Sequence, residues 1–168
     1  MTMSVSEVAE RFAGTYMQTD PDPDFAELFA PVFTHWHNYD VRADTFPGEF
    51  MAAAMVRTLS LTDELMPDHK DELLYLHVAE SAFILAARAT GTLPDGTKID
   101  IPRALVATVE DGKITKIDSW GDHAQRYPIG VALRETYGLV TCVACGRPEC
   151  DTGQWREEGV AAANGGTE

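Results

Sequence analysis

Residues 98–120 read KIDIPRALVATVEDGKITKIDSW, and this stretch decides the fold. Two runs rich in Ile, Val, Leu and Thr flank the turn Glu110-Asp111-Gly112-Lys113. Branched apolar residues suit strands, and Gly supplies the positive φ that a tight hairpin requires. The reading is a pair of long antiparallel strands, Lys98–Glu110 and Lys113–Trp120. Ile114 and Ile117 stand three apart, which predicts a bulge and leaves open which of Asp118, Ser119 and Trp120 faces inward. Just upstream, Leu93-Pro94-Asp95-Gly96 is a second hairpin turn, preceded by strands at Ala82–Thr92 and Leu73–Ala79.

Towards the N-terminus the period changes. Ser4-Val5-Ser6-Glu7 has the form of a capping box, with Met3 and Val8 placed as a hydrophobic staple. Val5, Val8, Phe12 and Tyr16 then form one helical stripe, and Asp20-Pro21-Asp22-Pro23-Asp24 ends it. Asp22 is expected to cap a short second helix that carries Phe25, Leu28 and Phe29 and ends near Pro31. From Val32 to Tyr39 the spacing is two: Phe33, His35, His37 and Tyr39 share one face, Val32, Thr34, Trp36 and Asn38 the other. A third helix is read at Pro47–Leu59, followed by a charged connector from Thr62 to Glu72. Pro128–Tyr137 is read as a last short helix.

The predicted architecture is therefore α+β: helices packed on one face of a curved antiparallel sheet. Residues 1–122 form the domain, 123–155 a cysteine-bearing extension, and 156–168 a flexible Gly/Ala-rich tail. At 168 residues, folding buries roughly 70% of the unfolded surface, enough for a core without disulfides. Apolar residues are 45% and charged residues 24%, ordinary values for a globular domain. Net charge is −14. That excess of acid argues against binding nucleic acid or an anionic membrane, because phosphate contact needs clustered Lys and Arg. No apolar run is long enough to span a membrane, and the N-terminus lacks the basic start and apolar core of a secretory signal. A cytoplasmic protein is expected.

With these elements in place the chain resembles the NTF2-like superfamily, in its SnoaL-like and ketosteroid-isomerase-like branch. The resemblance covers about Val8 to Asp122. It rests on Asp24-Phe25-Ala26-Glu27-Leu28-Phe29-Ala30-Pro31 running into the His35/His37 strand, on the Gly91–Gly96 hairpin, and on Val109–Ile114 leading to Trp120-Gly121-Asp122. It implies a cone, a bent sheet wrapped round N-terminal helices with an apolar pocket at one end. Isomerases, dehydratases, cyclases, epoxide hydrolases and non-catalytic binders share that fold, so fold does not settle function.

Inside such a cone His35 and His37 enter an apolar cavity, where burial disfavours imidazolium and leaves a neutral base near pH 7. The resemblance places His37 where ketosteroid isomerases carry their catalytic Asp. It implies catalytic roles for Asp118 or Asp122 by likeness to SnoaL-like cyclases. Asp118 with Arg103 and Arg88 loosely echoes the Asp flanked by two Arg of epoxide-hydrolase-like members. Scytalone-dehydratase-like members use His, Tyr and Asp, types found here as His35, His37, His77, Tyr39, Tyr75 and Asp118. Phe12 stands where ketosteroid isomerases have an oxyanion-donating Tyr, and the Arg103–Leu105 stretch has no acid; both argue against steroid isomerisation. Tyr16 and Tyr39 remain as donors. Phe12, Tyr16, Phe33, Tyr39, His77, Arg103 and Trp120 are the expected substrate contacts.

His35 and His37 also have the spacing of a metal pair, but a third ligand would have to come from Asp118, Asp122, His77 or His123. Cys142, Cys145 and Cys150 resemble half of a zinc knuckle and could hold a structural zinc with help from His123, Asp151 or another protomer. Three cysteines do not make a disulfide framework.

Three functions follow. The first is an enzyme in which His37 and His35, aided by Asp118 or Asp122, move protons in the isomerisation, dehydration or cyclisation of a small apolar oxygenated molecule, without an organic cofactor. The second is a non-catalytic binding or homodimerisation module, with Trp36 and Val32 on the dimer face. The third is a metal-dependent enzyme. A cavity of roughly 300 Å³ or more with converging polar groups favours a ligand site; a filled core favours the scaffold.

Overall fold

The computed structural model describes residues 2–38 and 43–138. Helix α1 spans Val5–Tyr16 and opens on the expected box: Ser4 Oγ accepts from the Glu7 amide and Glu7 accepts from the Ser4 amide. Such a reciprocal cap satisfies two donors that the first turn cannot use internally. Val8 and Phe12 are wholly buried on its inner face. The expected second helix is one 3-10 turn, Phe25–Leu28, and the chain is already a strand at Phe29. Asp22 does not cap that turn; its Oδ1 accepts from the Asp24 amide, while Oδ2 takes the Arg11 guanidinium at 2.6 Å.

Strand β1 (Phe29–His37) is followed by the short β2 (Asp44–Pro47), which was not read from the sequence. Helix α2 runs from Gly48 to Leu65, six residues beyond the expected Leu59. Strands β3 (Lys70–Val78), β4 (Ala82–Thr92), β5 (Lys98–Glu110) and β6 (Lys113–Gly121) form the meander. Helix α3 (His123–Tyr137) starts earlier than expected, because Asp122 caps it by accepting from the Ala124 and Gln125 amides. Gly138, in the left-handed region, ends it.

The sheet order is β2-β1-β6-β5-β4-β3. The expected all-antiparallel sheet is instead mixed, since β1 pairs with β6 in parallel. Strands β1 and β6 are joined through the whole meander, so they can meet side by side in the same direction. Between β5 and β6 the register slips where Thr108 faces Lys116 but Val109 faces Ile114. Thr115 is thus the extra residue of the predicted bulge, and it resolves the parity of the strand. Ile117 and Ser119 point inward, Asp118 and Trp120 outward.

One core cluster joins Val8 and Phe12 of α1 to Phe33, Phe83, Leu85 and Ile114 on the sheet. A second joins Leu65 and Met66, at the end of α2, to Leu93, Ile99, Ile101 and Leu133. The space between helices and sheet lies at the seam of the two. Among the described residues no helix is long and apolar enough to cross a membrane.

Candidate functional site

Alternation on β1 places Phe33, His35 and His37 on the inner face, and the two imidazoles are 9% and 7% exposed. Their ring centroids lie 4.0 Å apart. Phe33 packs behind His35 at 5.9 Å and, wholly buried, belongs to the floor beneath the site. The parallel pairing sets Ser119 beside His37, and Ser119 Oγ shares a 3.1 Å hydrogen bond with His35 Nε2. Without the bulge at Thr115 the strand would turn Ser119 outward and Asp118 inward.

The rest of the site comes from four elements. Tyr16 at the end of α1 stacks on Phe12 at 5.4 Å. Above its ring, at 4.5 Å, sits the guanidinium carbon of Arg103 from β5, in cation–π geometry. Met55, Thr58 and Leu59 come from α2, and Arg126 from the first turns of α3. The cavity they enclose measures about 80 Å³. A second, of about 70 Å³, adjoins it and shares Thr58, Leu59, Arg103 and Arg126. Neither reaches the roughly 300 Å³ that marks an ordinary ligand pocket, although polar groups converge on both. A wider groove of about 650 Å³ lies on another face of α2, between Asp22, Phe25, Val56 and Leu61, and holds no histidine.

Burial pushes His37 well below its ordinary pKa; the neighbouring His35 and Arg126 push it further in the same direction. An imidazolium there would lose its hydration and face a second cation. His37 is therefore neutral at pH 7.

Behind Arg103 runs a chain of polar side chains, buried at Asp71 and His69. Arg103 Nη2 lies 2.7 Å from Asp71 Oδ1, an ion pair whose angle is not that of a hydrogen bond. His69 Nε2 stands 3.6 Å from the same oxygen, and its Nδ1 is 2.6 Å from Asp63 Oδ1. The side chains of Asp71 and His69 are 2% and 5% exposed. In register, Asp71 faces Ala89 and Arg103 faces Ala87. Those short side chains on β4 leave room for the pair to reach across the strand.

Of the expected site residues, His35, His37, Tyr16 and Arg103 come together here. Trp120 borders the cavity, but its indole packs edge-on against Trp36 at 5.6 Å on the outer face, and it is 42% exposed. Phe12 is core beneath Tyr16. Asp118 faces outward and binds Lys116 at 2.7 Å. Asp122 is occupied as the cap of α3. His77 stacks on Tyr75 on the exposed side of β3. The loose trio of Asp118, Arg103 and Arg88 does not assemble, because Arg88 pairs with Asp100 on the outer face. Tyr39, Cys142, Cys145 and Cys150 lie outside the described residues, as does the chain beyond Gly138. Among the described residues no three His, Cys, Asp or Glu side chains converge as a metal site, so His35 and His37 find no third ligand there.

Sequence reading missed Asp71, His69 and Arg126. β3 is exposed along most of its length and carries no clean apolar alternation, so its first residues read as connector. For Arg126 the available signal was Asp122 three residues before Gln125, an N-cap that would have started α3 earlier.

No protein-family model matches the sequence, and no curated protein matches it significantly. Solved structures do. An NTF2-like protein from Burkholderia thailandensis superposes with a TM-score of 0.58 at 19% identity, over 75% of this chain and 96% of the other. A hypothetical protein with a ketosteroid-isomerase-like fold from Catenulispora acidiphila, bound to trimethylamine, gives 0.53 at 17% identity, over 73% and 90%. A SnoaL-like polyketide cyclase candidate from Jannaschia gives 0.51 at 16% identity, over 83% and 90%. The chain has the NTF2-like fold, in the form shared by SnoaL-like and ketosteroid-isomerase-like proteins. Identities this low carry the fold and not an activity.

Proposed function

We propose that the protein is a small-molecule enzyme of the SnoaL-like type that works by general acid–base catalysis. The observation that carries this reading is the pair of buried imidazoles, with His37 held neutral beside His35 and Ser119. His37 removes a proton from a carbon next to a carbonyl. His35, oriented by Ser119, faces the oxygen on which charge develops and donates to it. Leu59, Leu105 and Ile117 line the cavity with apolar surface and exclude water, which strengthens each polar contact. Isomerisation, dehydration and cyclisation of carbonyl compounds can each start from such a step, and that route needs no organic cofactor.

The test follows proton transfer directly. A panel of small ketones and enones is incubated with enzyme in heavy water, and deuterium entry at the α-carbon is read by NMR. His37→Ala is expected to slow exchange by about 10²–10⁴-fold while circular dichroism and melting show a folded protein. Unchanged exchange in a folded His37→Ala protein ends the catalytic reading.

The small cavity favours a second reading, a non-catalytic module that dimerises through the outer sheet face. Trp36 and Trp120 pack together there, and Val32 is 68% exposed. A dimer by sedimentation that Trp120→Glu makes monomeric, together with no exchange activity in the wild type, would favour it.

A further inference from the structure

The interior is divided into two cavities with different walls. The first, of about 80 Å³, holds His35, His37 and Ser119, with Leu105 and Ile117 as apolar wall. The second, of about 70 Å³, has none of these and is walled by Ala89, Ile101, Ile129 and Leu133. Thr58, Leu59, Arg103 and Arg126 belong to both linings, so they form the partition. Two of its members are tied back. Thr58 Oγ1 donates to the Ala54 carbonyl of its own helix at 2.8 Å, and Arg103 lies 2.7 Å from Asp71. Leu59 is the apolar member, buried to 9% exposure.

An apolar cavity of roughly 150 Å³ takes a guest the size of benzene. The first cavity has about half that volume, which suits a guest of roughly three to five non-hydrogen atoms. We infer that the substrate is a short carbonyl compound of that size, and that Leu59 is the residue that sets the limit. This rests on the reading that His37 takes a proton from a carbon next to a carbonyl, and it adds the size of the substrate. A chain that extends further has to enter the second cavity, and the Leu59 side chain stands between the two. Interiors packed at crystal-like density resist overfilling, so added methylenes find no apolar surface to bury. A tail that leaves towards solvent instead gains no burial either. Shortening Leu59 to Ala removes three carbons from the partition, and the space left collapses only in part. The apolar walls of the second cavity then come within reach of the substrate's chain.

The test is NMR titration of the full chain with acetone, butan-2-one, hexan-2-one and octan-2-one. In an open apolar site each added CH₂ tightens binding about fourfold. Here the rise is expected to stop at butan-2-one, with hexan-2-one and octan-2-one binding no tighter, and the perturbed resonances should include Leu105 and Ile117. In Leu59→Ala, hexan-2-one should gain about tenfold over butan-2-one. Leu59→Val, a smaller opening, should move the ratio in the same direction by less, and it carries the test if melting curves show Leu59→Ala unfolded. Octan-2-one binding more than about tenfold tighter than butan-2-one in the wild type overturns the inference. So does a ratio unchanged in the folded Leu59 variants, binding of no ketone, or perturbation confined to the wider groove on α2. Failure of the His37 exchange test with the size limit intact ends catalysis and leaves the limit standing. A binding ladder that keeps rising, with exchange lost in His37→Ala, ends the limit and leaves the base standing.

Discussion

His37 ties the stability of the fold to pH. Its folded-state pKa lies well below the ordinary histidine value, chiefly because burial strips the imidazolium of water, then because His35 and Arg126 are near. In the unfolded chain the same group titrates near the ordinary value of about 6.5. Between the two pKa values the unfolded state binds one more proton than the folded state. Stability therefore rises with pH through that window and is fully present above about 6.5, with a slope of up to about 1.4 kcal/mol per pH unit from this one group. The carboxylates held low act elsewhere. Asp22 beside Arg11, Asp68 beneath Thr92, Asp95 beneath Thr97 and Asp100 beside Arg88 contribute stability that is lost only as pH falls below about 4. Urea denaturation from pH 4.5 to 8, on wild type and His37→Gln, separates the two. The substitution shifts stability by some constant amount through packing, but it also removes the part of the slope below about pH 6.5 that His37 supplies, and the slope is the readout. Arg126→Met should shorten the window from its acid side, because one cation opposing His37 is gone. Equal slopes in wild type and His37→Gln would refute a buried, neutral His37, and with it the base assigned to the site.

Two further outcomes test the frame of the site. Asp71→Asn removes the charge partner of Arg103 within a nearly sealed network, and should cost about 3–5 kcal/mol in urea denaturation; a loss below 1 kcal/mol would mean that the pair is solvated. Gly48 opens α2 hard against β1, where an added Cβ would overlap the Ala30 carbonyl oxygen and crowd Phe29. Gly48→Ala should therefore lower the melting temperature and cost about 1–3 kcal/mol, and an unchanged melt would show that helix and strand have room to part.

Much of the fold was legible because its signals are local. The capping box at Ser4 and Glu7, the period-two run through His35 and His37, and the two Gly-containing turns each act within a few residues. Each was found where it was expected. The bulge was legible from the spacing of Ile114 and Ile117, though its consequence was not. β2 was missed because four residues at a sheet edge offer no period to read. Phe29 read as helix because its apolar spacing continues that of Phe25, and only pairing with β6 makes it strand.

The candidate site divides along the same line. Alternation alone put His35 and His37 on one face, and composition alone argued against nucleic acid as a partner. Which last-strand residue meets them depended on the parallel register of β1 and β6, a contact between segments some eighty residues apart. Asp71, His69 and Arg103 likewise become a unit only when three strands lie side by side. Capping, turns and alternation are short-range steric and hydrogen-bonding preferences, written residue by residue. Charge pairs and cavities arise when distant strands close on one another, and no local preference records which side chains will then share the interior.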